Sequence, residues 1–187
     1  MGRIVVTEFV SLDGVVEDPG GSEHFERGGW AFETDRGAEG NQFKLDETMA
    51  SEALLLGRVT YEGFAASWPS RDGEFADKFN SMPKFVVSTT LEDPEWNNTT
   101  VIKGHVAEEV AKLKQRPGGD IVIHGSAQLV QALLKDDLID EYRLMVFPIV
   151  LGSGKRLFGD TGKATTLKLV DSKTVGAGVL ILTYQPA

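Results

Sequence analysis

The sequence contains no cysteine, which excludes disulfides, thiolate metal sites and a cysteine nucleophile together. Its three histidines, His24, His105 and His124, lie far apart and share no ligand spacing, so no metal site is expected. Nowhere do about 18 apolar residues run together. The opening residues, MGRIVVTEFVSLDG, lack the basic, apolar and small-residue order of a secretion signal. The expectation is therefore a cytoplasmic protein with no membrane partner. On that reading the overlapping sequons of Asn97-Asn98-Thr99-Thr100 are polar turn residues. Positive charge is also scarce: 19 basic residues face 28 acidic ones, a net charge of -9. Such a chain repels nucleic acid and anionic membrane as a whole, while leaving room for a local basic pocket for a small anion. Neither G-x-G-x-x-G after a strand nor G-x-x-x-x-G-K-[ST] occurs, which removes the standard Rossmann fingerprint and the P-loop.

What is present is a soluble composition, 41% hydrophobic and 25% charged over 187 residues, enough for one domain, 1–187, with a core held by packing alone. Apolar runs alternate with helix-like stretches. Strands are expected at Arg3 to Val10, Ala53 to Leu56, Lys84 to Ser88, Thr100 to Ile102, Ile121 to Ile123 and Ile139 to Val150. Helices are expected at Phe43 to Ser51, Arg58 to Ala66 with Val59 and Phe64 inward, Val106 to Lys114, and after Gly125, where Leu129, Val130, Leu133 and Leu134 share a face. Trp68 to Glu74, with Pro69 and Gly73, reads as a loop. Thr166 to Thr174 and Val179 to Gln185 pair around Val175 to Gly178 as a terminal hairpin. This order describes an α/β protein, its central sheet mostly parallel with the antiparallel C-terminal hairpin at one edge. The segment Ser11 to Glu39 is left as a long, glycine-rich loop or flap, a length usually functional or disordered.

In such sheets ligands sit beyond the carboxyl ends of strands, where helices begin. Three corners meet that description. Gly57-Arg58-Val59-Thr60 joins a glycine, which lets a ligand approach the backbone, to an arginine fork suited to phosphate. Ser88-Thr89-Thr90 offers hydroxyls for a phosphate or ribose, residues equally favoured in turns. Gly125-Ser126-Ala127-Gln128 offers backbone N–H groups at the positive end of a helix dipole, although a plain N-cap serine explains Ser126 as well. Three such corners on one sheet edge fit a dinucleotide lying across it.

With these residues in view, the chain resembles the dihydrofolate reductase-like superfamily, and most closely the reductase domain of riboflavin biosynthesis (RibD C-terminal type) with its stand-alone bacterial relatives. The resemblance runs from SLDGVVEDPGG through LLLGRVTYEGF and VVSTTL to HGSAQLVQALLKDDLIDEYRLMVFPIVLGSGKRLF. It implies a three-layer α/β sandwich binding NADPH. Gly57, Arg58, Thr60, Ser88, Thr89 and Thr90 would hold the adenosine end and its 2'-phosphate, and Gly125, Ser126, Ala127 and Gln128 the pyrophosphate. Ser11 and Asp13 would lie beside nicotinamide and substrate, with Asp13, or a water it holds, as proton donor or anchor. Gly152, Gly154 and Lys155 would face substrate or stabilise their loop, Lys155 pairing with a substrate phosphate. The implied function is NADPH-dependent hydride transfer to a small heterocyclic or carbonyl substrate, such as 5-amino-6-(5-phosphoribosylamino)uracil, in a homodimer. The alternatives are a non-catalytic nucleotide-binding module or sensor, and an enzyme of this fold that takes a flavin or another phosphate ligand.

The chain also departs from those relatives. The helix position where dihydrofolate reductases carry a pterin-binding carboxylate falls on Asn41, with Glu39 and Asp46 out of register, and no zinc deaminase motif is present. His124 reads as a packed residue near the third corner. Asp136, Asp137, Asp140 and Glu141 read as a solvated turn. Trp30, Phe32 and Phe43 read either as cover for a flat ring or as core and dimer filling.

Overall fold

The computed structural model describes residues 1–187. Eight strands form one sheet in the order β4-β3-β2-β5-β1-β6-β8-β7. They are β1 (Arg3–Ser11), β2 (Ser51–Gly57), β3 (Lys84–Val87), β4 (Thr99–Ile102), β5 (Asp120–Ile123), β6 (Glu141–Phe147), β7 (Leu167–Val175) and β8 (Val179–Pro186). The first six in that spatial order pair in parallel, and β8 and β7 close one edge antiparallel. The mixed sheet and terminal hairpin expected from the sequence are therefore present.

Side-chain alternation along the strands separates two cores. On one face Ile4, Val6, Leu55, Ile121 and Ile123 pack against α4 (Val106–Gln115) and α5 (Ala127–Lys135). On the other, Leu54, Leu56 and Val86 pack against α2 (Arg58–Ser67) and α3 (Glu74–Ser81). The same face continues past α1 (Gly37–Ala50), where Trp30 and Phe43 meet Phe147 and the hairpin. Burying Ile4, Val6 and Leu55 completely stabilises the fold by about 1.5–3 kcal/mol for each side chain.

Several boundaries differ from the sequence expectations, each for a local reason. β6 is shorter than Ile139 to Val150 because Pro148 has no N–H to extend the ladder, and because Asp140 accepts the Ile4 N–H through its side chain at 2.8 Å. α1 begins at Gly37, well before Phe43; glycines at 37 and 40 conceal its first turn. A Cβ at Gly40 would lie 2.9 Å from Arg36 Cβ and 3.3 Å from Val175 Cγ2, so the absent side chain lets α1 seat on the hairpin. α3 was not expected; Phe75 and Phe79, at i and i+4, share an aromatic cluster with Trp68. Val59 is 45% exposed, and Thr60 and Tyr61 are the buried residues of that turn. The acidic cluster is a solvated turn at Asp136 and Asp137, which are exposed, but not beyond: Lys114 pairs with Asp140, and Arg3 and Arg143 pair with buried Glu141.

Lys84 shows what burial demands of a charge. Its ammonium is wholly inside, donating to the carbonyls of Asn80, Met82 and Asn97, and desolvation lowers its pKa to about 8. No helix is long and apolar enough to cross a membrane.

Candidate functional site

β1 and β5 are neighbours, yet the chain leaves β1 for α1 on one face and leaves β5 for α5 on the other. That divergence is a topological switch point, where an open α/β sheet forms a crevice beyond its strand ends. A cavity of about 900 Å³ occupies it, a size suited to ligand sites.

Gly57, Arg58, Thr60, Ser88, Thr89, Thr90, Gly125, Ser126, Ala127 and Gln128 all line this cavity. Their corners follow β2, β3 and β5, which are adjacent in the order β3-β2-β5, so together they form one continuous wall. Lys155 lines the cavity too, whereas Ser11, Asp13 and Gly154 do not.

The wall is tied together by Ser126. Its hydroxyl accepts the Gly57 N–H at 2.7 Å and donates to Thr60 Oγ1 at 3.1 Å, linking the first corner to the third. It makes no capping bond to α5, so the first-turn N–H groups of that helix keep no serine partner. Ser126 also sits at φ 61°, the left-handed region, a conformation costing a non-glycine residue about 1–3 kcal/mol. Gly125 is at φ 60°, and a Cβ there would fall 2.6 Å from Thr60 Oγ1. An uncapped helix start with a bare backbone before it and no acidic residue in its first turn leaves its N–H groups and the positive end of its dipole open to the cavity, the chemistry that suits an anion. Ser88, by contrast, spends its hydroxyl on its own turn, accepting the N–H groups of Thr90 and Leu91. Thr89 and Thr90 remain exposed at the rim. Five cations line the cavity, Arg36, Lys44, Arg58, Arg71 and Lys155, against three carboxyl groups, Glu8, Glu17 and Glu23, although the chain carries a net charge of -9.

The segment between β1 and α1 folds over the opposite side. Buried Asp18 accepts the N–H groups of Glu23 and Phe25, and Trp30 Nε1 donates to the Glu17 carbonyl at 2.9 Å. Trp30 is a core residue and half-buried Phe43 packs against that core, whereas Phe32 is 77% exposed at the cavity.

Asp13 stands outside the cavity. Its carboxylate accepts Ser11 Oγ at 2.6 Å, Gly152 N–H at 2.8 Å and Leu151 N–H at 3.1 Å. The Ser11 bond, followed by the two backbone donors, lowers its pKa to about 2. Asp13 thus clamps the segment after β6 to the turn after β1. In the same loop a Cβ at Gly154, at φ 113°, would meet Val15 Cγ1 at 2.7 Å, so Gly154 serves close packing. The Lys155 N–H is accepted by Glu17 Oε2 at 2.9 Å.

Glu8, Lys44 and His124 are among the cavity residues that escaped the sequence reading as site members. Glu8 shares the α5-facing side of β1 with Ile4, Val6 and Val10. It is 4% exposed, and its Oε1 has no hydrogen-bond partner. Desolvation raises its pKa well above the usual carboxylate value, with the Gly125 backbone and Lys44 opposing. Lys44, on the other face, donates to Thr7 Oγ1 at 2.6 Å and to Glu47. His124 packs edge-on against Phe64 and Phe79; burial, then the charge of Lys44, keep its pKa well below the ordinary value. Glu8 left a visible signal, a carboxyl interrupting an apolar strand face. The Lys44–Thr7 bond joins residues distant in sequence and left none.

The fold and crevice define an α/β protein with a mostly parallel sheet and a cavity at its switch point. Residues 3–181 match the RibD C-terminal domain model, and the chain belongs to that family. It is 31% identical over 188 residues to the uncharacterized protein YyaP of Bacillus subtilis, covering 97% of this chain and 94% of that one. It is also 31% identical over 170 residues to YwjB of the same organism, covering 91% and 90%. A putative riboflavin biosynthesis protein of Shewanella sp. PV-4 shares the fold with a TM-score of 0.79 at 23% identity, over 99% of both chains. A diaminohydroxyphosphoribosylaminopyrimidine deaminase/5-amino-6-(5-phosphoribosylamino)uracil reductase of Thermotoga maritima matches with a TM-score of 0.67 at 14% identity. That match covers all of this chain and 57% of the other.

Proposed function

We propose that the protein is a reductase that binds NADPH along the β3-β2-β5 wall and passes hydride to a small heterocyclic or carbonyl acceptor lying against β1. The observation that carries this reading is the Ser126 tie, which leaves the α5 start uncapped while fixing it beside the Gly57-Arg58 corner. A pyrophosphate at α5 then lies one strand from a guanidinium able to meet a 2'-phosphate. Arg58 now pairs with Glu62 at 2.9 Å, an exposed contact of the kind that contributes little and yields readily to a phosphate.

The bound cofactor would supply the hydride, and the protein supplies distance, angle and exclusion of water. Phe9, Phe32 and the rings of Phe64, Trp68, Phe75 and Phe79 line the cavity and accommodate flat rings. Lys155 and Arg36 are cations available to an acidic substituent, such as the phosphate of a phosphoribosylaminouracil. We assign Asp13 the positioning of the segment at Leu151 and Gly152 rather than proton delivery, because its carboxylate is ionised and faces that segment. In this reading residues 1–187 act as one reductase domain in the cytoplasm, as a homodimer.

Titration with NADPH, NADH and FMN, followed by fluorescence, tests the reading. The expected result is preference for NADPH, with at least about tenfold weaker binding in Arg58→Ala, the equivalent of about 1.4 kcal/mol for a lost charged contact. Tighter binding of FMN would overturn it. Tight NADPH binding with no oxidation across aldehydes, quinones and aminouracil ribosides would instead identify a nucleotide sensor.

A further inference from the structure

Reduction of a C=O or C=N bond needs a proton as well as a hydride, and few groups at this crevice hold one to give. The guanidinium groups of Arg36, Arg58 and Arg71 do not release protons at neutral pH. Lys44 is locked between Thr7 and Glu47. His124 is neutral between phenylalanine rings. Asp13 is ionised and outside the cavity.

Glu8 differs in each respect. It lines the cavity at the switch point, two residues beyond the last β1–β5 pair, Val6 with Ile123. It is buried, and Oε1 has no partner from the protein, the condition of a buried polar group that calls for a functional explanation.

We propose that Glu8 delivers the proton that completes the reduction. This inference rests on the reductase reading above. With the new C–H bond formed by the hydride that bound NADPH would supply, the π-electron pair of the acceptor would move onto its oxygen or nitrogen. The proton leaves the Glu8 carboxyl and bonds to that atom, leaving NADP⁺ and a Glu8 carboxylate, which regains a proton from water at the cavity mouth. Burial pushes the carboxyl well above the ordinary carboxylate range, the direction that a general acid working near neutral pH requires. The charged groups around it are arranged for the return step. Lys44 from α1 favours the carboxylate once formed, while Glu23 from the covering segment disfavours it. Glu23 is itself held up chiefly by burial and also by Asp18 and Glu17, against Lys155. From β5, His124 brings no charge.

The test pairs a spectroscopic and a kinetic measurement on wild type, Glu8→Gln and Asp13→Asn. Difference infrared spectra of wild type against Glu8→Gln at pH 7 should show a protonated carboxyl band that the variant lacks; a carboxylate band in its place would overturn the proposal. With NADPH and the acceptor from the aldehyde, quinone and aminouracil panel that wild type reduces, Glu8→Gln should bind NADPH within about threefold of wild type. Its turnover should fall about 10²–10⁴-fold. It should also lose the alkaline limb of the pH profile, a limb Asp13→Asn should keep. Wild-type turnover in Glu8→Gln would overturn the role of Glu8 and leave the reductase reading standing. Failure of wild type to oxidise NADPH with any acceptor would overturn both.

Discussion

The crevice has two ends built from different materials. Along β3, β2 and β5 it is backbone: glycines without side chains, helix N–H groups and hydroxyls that bind one another. Along β1 it is buried charge, with Glu8 toward α5 and Thr7, Lys44 and Glu47 toward α1. The first end has no room for an added Cβ at Gly57 or Gly125. The second tolerates no unpaired charge, and so responds to pH. Two carboxyl groups near that end separate further: Asp13 is fully bonded and ionised, whereas Glu8 has no partner at Oε1 and is pushed well above the ordinary carboxylate range by burial.

The sharpest way to break the contrast is to add one carbon to the backbone end. Gly125→Ala places a Cβ 2.6 Å from Thr60 Oγ1 at a positive φ. It should cost about 1–3 kcal/mol of stability and remove NADPH binding, measured by denaturation and fluorescence titration. Next, Asp13→Asn should lower stability at pH 7 by about 2 kcal/mol, the value of hydrogen bonds to a charged group. Because the folded-state pKa of Asp13 is depressed to about 2, that deficit should shrink as pH falls from the ordinary carboxylate range toward 2. Melting curves at several pH values would show it.

Glu8→Gln should have the opposite sign. The folded-state pKa of Glu8 is raised, so its contribution is complete below the unfolded value of 4.5 and is lost as pH climbs toward the folded one. The variant should match wild type below about pH 4.5 and melt higher at pH 7–8. Equal melting across that range would erase the distinction between the two carboxyl groups. Smaller still, Ser126→Ala should cost about 1 kcal/mol through the lost Gly57 and Thr60 bonds. Arg58→Ala should change stability by less than about 0.5 kcal/mol, its effect appearing only in cofactor affinity.

The same division governs what could be read from the sequence. Glycines after apolar runs are local signals, so Gly57, Gly125 and their corners stood out, as did the strands between them. The sequence could not say that β3, β2 and β5 are adjacent, nor that Ser126 faces Gly57 rather than its own helix. Such facts depend on the sheet order. Lys44 was invisible because its partner Thr7 lies on another element, and α3 was hidden by Pro69 and Gly73 just before it. Asp13 was legible as a residue beside glycine after a strand; that its oxygens face Leu151 and Gly152 follows from a loop more than a hundred residues away.

One consequence concerns the register of β1. The strand is paired in parallel on both sides, with β6 over Val5 to Ser11 and with β5 over Arg3 to Val6. Its successive residues Thr7 and Glu8 address opposite faces. A slip of one residue would exchange the two, turning the acid toward Lys44 and the threonine toward α5. The ladder that holds the sheet together therefore also sets which chemistry each compartment receives, and an insertion at the start of β1 would act as an active-site mutation without altering any residue that lines the site.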